Sequence, residues 1–300
     1  MSLEQRVLQL FVSGVTNGSI YALLGLGLVL VYSTTRVVNV AIGDFATLCA
    51  LAAATLVTRG WGLLPAVAAG ALLAAAAAAL AYRVAIHPAR RRGADPVTLM
   101  IITIALHLAL QGTAQALWGT QPYTLPALSP GPPVHVLLAV VDRQKLWVLA
   151  VSFAIVTLLA LFFNRTTAGR ALRACAVNPT AARLTGIPVH RMGLAAFALG
   201  AVLAAVSGAL IAPITLATYD MGLMLGLKGF VGAVIGGLVN YPLTVAGCIL
   251  LGLLESFAAG FLASGYRDAV AFVVLIAVLM ARALPLLRHG VMVSEEAAKE

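Results

Sequence analysis

Long apolar runs separated by short polar interruptions occupy most of the chain. A helix needs about 20 apolar residues to cross a hydrocarbon core, and seven runs approach or exceed that length. Continuous apolar runs also differ from the alternating pattern of a membrane β-barrel. The pattern predicts an all-α integral membrane protein with about eight transmembrane helices plus broken or re-entrant segments. The predicted spans are Leu8–Tyr32, Leu63–Tyr82, Pro96–Trp118, Leu146–Phe163, Gly193–Thr215, Leu243–Leu262 and Ala269–Leu287.

Two apolar runs are too short for an ordinary span. Phe45–Val57 follows a polar interruption, and Gly226–Tyr241 contains five glycines and a lysine. Irregular backbone at membrane depth is tolerated where protein or a water-lined cavity surrounds it, so a broken or re-entrant helix fits the second run. Each short run follows a span with small residues at every fourth position, and the two pairs run in opposite directions. This arrangement is typical of inverted repeats.

Composition supports the membrane interpretation. The 300 residues are 62% hydrophobic and 10% charged, with a mean hydropathy of +1.03. The net charge of +9 arises largely from arginines between the apolar runs, which is the usual excess of cytoplasmic loops and requires no nucleic-acid partner. The three cysteines have neither a disulfide nor a metal-ligand spacing.

The most basic segment is 164–191, which carries five arginines and no carboxylate. The positive-inside rule places it in the cytoplasm. Within it, Asn178 is a helix cap, Pro179 occupies the first helical position, and Gly186 ends the helix. The sequence therefore predicts one transmembrane domain, 1–290, with a structured cytoplasmic loop at 164–191 and a cytoplasmic tail at 291–300.

A few polar and glycine positions inside or beside the apolar runs are candidates for a translocation path. Intramembrane charges are costly, which makes a functional role the default hypothesis. The alternatives remain open: an interfacial position or a structural ion pair for the carboxylates, snorkelling for the lysine, and tight packing for the glycines. The candidates are Asn39, Asp44, Lys228, Gly236, Gly237 and Glu255.

Four stretches resemble the permease subunits of ABC importers for branched-chain amino acids, and the resemblance covers nearly the whole chain. They are NGSIYAL at 17–23, VNVAIGD at 38–44, the loop stretch at 173–187, and the glycine-rich stretch at 228–237. The resemblance implies a bacterial inner-membrane complex with two ATPase subunits, a second homologous permease and an extracellular or periplasmic solute-binding protein. Branched-chain amino acids are the implied substrates, and relatives associated with urea, amides or aromatic acids leave related small polar solutes open.

The chain departs from the family pattern at two places. The family commonly has Asn-Phe-Ala-His-Gly-Glu where this chain has NVAIGD at 39–44, without the His and with the shorter carboxylate Asp44. In the loop, the family's Glu-Ala-Ala pattern appears with Thr180 in place of Glu. The resemblance still implies an ATPase-docking helix, whose predicted residues are Asn178, Thr180, Ala181, Ala182, Leu184, Gly186 and Ile187.

No residue constellation indicates bond-making chemistry. The sequence lacks a phosphate-cradling Gly-Lys-Ser/Thr loop, a metal-ligand cluster and a nucleophile with its base, so no enzyme activity and no cofactor are predicted. ATP hydrolysis is then expected from separate subunits. The alternative function is a self-contained secondary transporter or channel that uses Asp44, Glu255 and Lys228 as ion sites.

Overall fold

The structure is a computed structural model, and it describes residues 3–129, 131–136, 139–261, 264–266 and 268–281. Helices make up most of the described chain, and a small antiparallel hairpin pairs Val134–Val136 (β1) with Ala139–Val141 (β2). The helices are α1 Leu3–Thr35, α2 Ile42–Thr58, α3 Leu63–Arg91, α4 Pro96–Trp118, α5 Arg143–Arg165, α6 Thr167–Val177, α7 Pro179–Leu184, α8 Val189–Thr215, α9 Met221–Ile235, α10 Tyr241–Phe261 and α11 Asp268–Ala281.

Six of these helices, α1, α3, α4, α5, α8 and α10, are long and apolar enough to cross a membrane. The three shorter apolar helices are α2, α9 and α11. An all-α membrane protein with additional short helices is therefore confirmed. The predicted span Pro96–Trp118 matches α4 residue for residue, because Asp95 caps its N-terminus and accepts a hydrogen bond from the Val97 amide. Residues 282–300, which include the end of the last predicted span and the predicted cytoplasmic tail, lie outside the described residues.

The sequence analysis assigned the arginines between apolar runs to loops, and this is wrong for those that follow the predicted span Leu63–Tyr82. The helix continues as α3 to Arg91 through a wide π-helical turn at Tyr82–Ile86. Pro88 has no N–H to donate to the preceding turn, and a widened turn before it accommodates the missing hydrogen bond. The helix ends just before Gly93, which has a positive φ of 79°.

The glycine-rich run also differs from the prediction. Its first three glycines, Gly226, Gly229 and Gly232, do not interrupt a helix, because they lie within the regular helix α9. The break follows instead at Gly236–Asn240, where α9 turns back to pack against α10. The short length was predicted correctly: 15 residues rise about 22 Å, whereas a hydrocarbon core is about 30 Å thick.

The same order of elements occurs twice. A long helix, α1 or α8, ends in a residue with a positive φ (Arg36, 60°; Leu216, 68°), and a short helix, α2 or α9, begins five or six residues later. We call residues 36–41 the first link and residues 216–220 the second link. The duplication supports the predicted inverted repeats.

The two repeats contact each other at paired glycines. A Cβ on Gly27 would lie 2.8 Å from the Gly200 carbonyl oxygen, and a Cβ on Gly200 would lie 2.9 Å from the Gly27 oxygen, so α1 and α8 cross with their backbones in contact. The first turns of α2 and α9 meet in the same way, because a Cβ on either Gly43 or Gly222 would overlap the other's carbonyl oxygen. Any side chain at these crossings would push the repeats apart.

The arginine-rich segments gather at one end of the helix bundle, which we call the basic end. Arg36 contacts Ala176 there, and Arg90 and Arg183 line one pocket. The opposite end holds the second link and the start of the segment after α4, where the Tyr123 and Ala217 backbones form a β-bridge. The positive-inside rule assigns the basic end to the cytoplasm.

Candidate functional site

The predicted docking loop folds into two helices, α6 and α7, at the basic end. Asn178 lies between them, and its side-chain oxygen accepts hydrogen bonds of 3.0 Å from the Thr180 and Ala181 amides. Gly186 ends α7 with a φ of 83°, and the Ile187 amide donates back to the Ala182 carbonyl at 3.0 Å. The predicted short helix, its cap and its glycine stop are therefore present in the structure.

The predicted docking residues differ in how far their side chains are exposed. Leu184 is 85% exposed and the neighbouring Val177 is 80% exposed, although both are apolar. Ala182 was predicted on the docking face, but it is only 3% exposed and packs with Cys175 and Val189. Its small side chain lets α7 lie against the rest of the loop, so Ala182 belongs to the inner face of the helix.

An open groove lies between α6 and α7. It has a volume of about 430 Å³ and combines apolar and basic groups. Burial raises the pKa of the Cys175 thiol beneath it, so this thiol is a neutral packing group. The groove residues are Arg170, Arg173, Ala174, Val177, Asn178, Ala181, Ala182 and Thr185.

The docking loop touches the first link directly. The Arg36 guanidinium donates to the Ala176 carbonyl at 3.2 Å, at the C-terminal end of α6. The link is fixed on its other side by Thr103 of α4, whose hydroxyl accepts from the Val40 amide at 3.3 Å and donates to the Val38 carbonyl at 3.0 Å. Movement of α6 would therefore reach the start of α2 through a single residue.

Asp44 lies in the first turn of α2 and is buried. Its Oδ2 lies 2.7 Å from Nδ1 of His107, one turn beyond Thr103 on the same face of α4. A histidine ring nitrogen can donate to a carboxylate oxygen, and this distance is that of a hydrogen bond. The sequence analysis selected Asp44, but not its pairing with His107.

Lys228 and Glu255 form a second buried polar cluster. The Lys228 ammonium lies 3.3 Å from both Glu255 oxygens, and Glu255 is completely buried. The Tyr21 hydroxyl donates to Glu255 at 2.8 Å, and Asp268 at the start of α11 lies 2.8 Å from the ammonium. Four helices, α1, α9, α10 and α11, thus meet at one cluster.

The remaining candidates occupy the turns. Asn39 is completely buried in the first link, and within the described part of the chain neither atom of its side-chain amide has a hydrogen-bond partner. Gly236 is packed against the backbone of Thr244, and Gly237 has a φ of 89°. Close packing and backbone conformation explain both glycines, and a role for them in the path stays a prediction.

The structure therefore separates the candidates into two groups. Asn39 and Asp44 lie together at the first link, whereas Lys228 and Glu255 lie in the cluster with Tyr21. Sequence reasoning missed Tyr21, Asp268 and Arg36 as partners, because each contact joins residues more than 30 positions apart. Among the described residues no group of three His, Cys, Asp or Glu side chains could hold a metal ion.

A protein-family model described as "Branched-chain amino acid transport system / permease component" matches residues 10–279. The match extends from the first turns of α1 to the last turns of α11. It includes both links, the docking loop and both buried polar clusters.

Individual relatives agree with the family match. The chain is 32% identical to the high-affinity branched-chain amino acid transport system permease protein LivH of Escherichia coli K12, over 91% of this chain and 92% of LivH. It is also 32% identical to the corresponding permease protein BraD of Pseudomonas aeruginosa, over 92% and 94%. A probable branched-chain amino acid transport permease protein of Methanocaldococcus jannaschii is 29% identical, over 87% and 86%.

The fold also resembles that of a solved structure. A chain of PsaBC from Streptococcus pneumoniae, determined in complex with Fab, superposes with a TM-score of 0.50 over 90% of both chains. The sequence identity is 15%, so this likeness concerns the fold alone.

Proposed function

This chain belongs to the permease-component family of branched-chain amino acid transport systems, and we propose that it moves branched-chain amino acids or related small polar solutes across the inner membrane. It would act with two ATPase subunits, a second homologous permease and an outer solute-binding protein. Relatives named for branched-chain amino acid transport along more than 90% of the chain support the substrate class.

The observation that carries the proposal is the exposed docking surface at the basic end. We define this docking surface as Val177, Thr180, Ala181 and Leu184 with the adjoining groove. Val177 and Leu184 add exposed apolar side chains to a groove that also carries arginines, and an apolar patch rimmed by polar groups is typical of a protein interaction site. The caps at both ends make α7 rigid, so it can transmit a push as one body.

The contact between Arg36 and Ala176 supports a route from docking to transport. ATP-driven movement of α6 and α7 would displace the first link, since Arg36 joins the two segments. Asn39 and Asp44 would then move with the link. A buried amide without a partner costs about 1–3 kcal/mol, so we propose that the Asn39 amide bonds to the solute as it passes.

The docking test uses a matched pair of arginine substitutions. Ala181→Arg places a bulky cation on the docking surface, and we expect co-purification of the ATPase subunits to fall at least about thirtyfold, as for a contact at the centre of an interface. Ala168→Arg adds the same group to an exposed position of α6 outside the groove and should leave co-purification unchanged. If both variants retain the ATPase subunits equally, the loop only connects two helices and is not a docking site.

Reconstitution tests the proposed class of transporter. Vesicles containing the full complex should take up solute only with ATP and the binding protein. Uptake by this chain alone would overturn the proposal and favour the self-contained transporter, with Asp44, Glu255 and Lys228 as ion sites. The two buried clusters would then be the first places to search for a coupling ion.

A further inference from the structure

A second pocket opens at the basic end, between the last turns of α3 and the start of α8. Its volume of about 400 Å³ falls within the range of roughly 300–1,000 Å³ that is typical of ligand sites. It shares no lining residue with the groove of the docking surface. We call it the arginine pocket; its lining residues are Tyr82, His87, Arg90, Arg91, Arg183, Val189 and His190.

The charge of this pocket is one-sided. Three arginines and two histidines line it, and no carboxylate does. Exposed like charges at such short range repel one another, because screening at physiological ionic strength acts only beyond about 8 Å. An anion between the arginines would relieve this repulsion. Guanidinium groups present forked donors that match the oxygens of a phosphate.

Aromatic contacts hold the pocket in shape. The buried Tyr82 ring stacks with His87, with a centroid distance of 6.0 Å, and packs on Phe197 at 5.1 Å. His87 in turn meets His190 edge to face at 4.3 Å, which joins α3 to α8. The pocket is therefore built on fixed rings rather than on two mobile loops.

The depth of the pocket indicates the source of the anion. It lies where α3 passes from the apolar stretch Leu63–Ala81 into its basic last turns. Leu80 and Val84, within two turns before His87, are 64% and 68% exposed. Exposed apolar side chains followed by a basic pocket match the order of acyl chains and phosphates in a lipid leaflet, and anionic lipids favour such basic pockets beside transmembrane helices.

We propose that the arginine pocket binds the phosphate of an anionic lipid headgroup at the cytoplasmic face. Arg90 and Arg91 hold the phosphate oxygens, and the bound lipid fixes the end of α3 against α8. Arg183 comes from α7, so an occupied pocket also steadies the inner side of the docking helix. The flanking apolar residues favour a lipid over an ATPase surface.

The test compares two variants with the same change of charge. The full-length chain is placed in nanodiscs of phosphatidylcholine containing a minor fraction of phosphatidylglycerol, and retained phosphatidylglycerol is measured by native mass spectrometry. Arg90→Gln with Arg91→Gln should bind it more weakly by about fivefold per arginine, or about 25-fold together. The control, Arg92→Gln with Arg165→Gln, changes two exposed arginines outside the pocket and should bind as the wild type does.

Three results would overturn the proposal. Equal loss of phosphatidylglycerol in the two variants would indicate only a general charge effect. Displacement of the lipid by inorganic phosphate would assign the pocket to a free anion. Loss of ATPase co-purification by the pocket variant in pure phosphatidylcholine nanodiscs would make the pocket part of a protein interface. If the double variant does not fold, Arg91→Gln alone, at an exposed position, serves the same comparison with Arg92→Gln.

Discussion

The two links of this permease share a backbone design but lead into short helices that carry different charges. Each follows a long helix, begins with a positive φ and leads into a short helix. In α2, directly after the first link, Asp44 is paired with the buried His107. In α9, roughly two turns beyond the second link, Lys228 contacts Glu255 and Asp268, and Tyr21 also bonds to Glu255.

The difference concerns how far each contact depends on charge. A histidine ring nitrogen can donate a hydrogen bond to a carboxylate without a net charge on the ring, so the Asp44–His107 contact does not require an ion pair. Burying the Lys228 ammonium without a carboxylate, in contrast, is very costly. The comparison teaches that the second repeat is fixed by charge, whereas the contact in the first does not depend on an ion pair.

The largest expected effect comes from removing the central carboxylate. Glu255→Gln leaves the buried Lys228 with only the half-exposed Asp268 and weakens the Tyr21 hydrogen bond. We expect destabilisation of about 3 kcal/mol, since breaking a buried ion pair costs roughly 3–5 kcal/mol and one partner remains. Thermal or denaturant unfolding of the purified chain in detergent measures it.

Two further variants separate the charge from the packing in this cluster. Tyr21→Phe removes only one hydroxyl and should cost about 1 kcal/mol. Adding Lys228→Met to Glu255→Gln should recover much of the lost stability, because no unpaired cation is then left in the core. If the double variant is no more stable than Glu255→Gln alone, charge is not what fixes the second repeat.

A smaller effect on stability, but a larger effect on transport, is expected at the first link. Asp44→Asn keeps a side chain that can bond to His107, so we expect a loss of no more than about 1.5 kcal/mol and unchanged assembly. Uptake should fall about tenfold or more, because an intramembrane carboxylate is retained chiefly for function. Uptake assays in vesicles, with His107→Gln as the parallel variant, make the comparison. Wild-type uptake would remove Asp44 from the path.

Periodicity and caps predicted most of the fold. The apolar runs located the helices, Pro96 marked the start of α4, and Asn178 with Gly186 marked both ends of α7. These signals are local, because each depends on residues within one or two turns. The extension of α3 to Arg91 was missed, since a π-helical turn that accommodates Pro88 leaves no distinctive residue pattern.

The candidate sites were predictable only as lists of residues. Lys228 and Glu255 were noticed because charges are rare in apolar runs, but their pairing joins α9 to α10 and depends on how the repeats pack. Ala182 shows the same limit: the family pattern places it on the docking helix but does not say which face it occupies. Which residues face inward is set by tertiary contacts, and no single-sequence pattern reports them.

The smallest expected change in stability is a gain rather than a loss. It comes from comparing one substitution in the first link with one in the second. Asn39→Leu replaces a buried amide without a described partner by an apolar group of similar size, so we expect a gain of about 1 kcal/mol in unfolding free energy. Uptake should nevertheless fall severely if the amide serves the solute. Thr218→Val, in the second link, is the matched control and should change neither quantity measurably. A destabilised Asn39→Leu chain would mean that Asn39 has a structural partner, and unchanged uptake would remove the first link from the path.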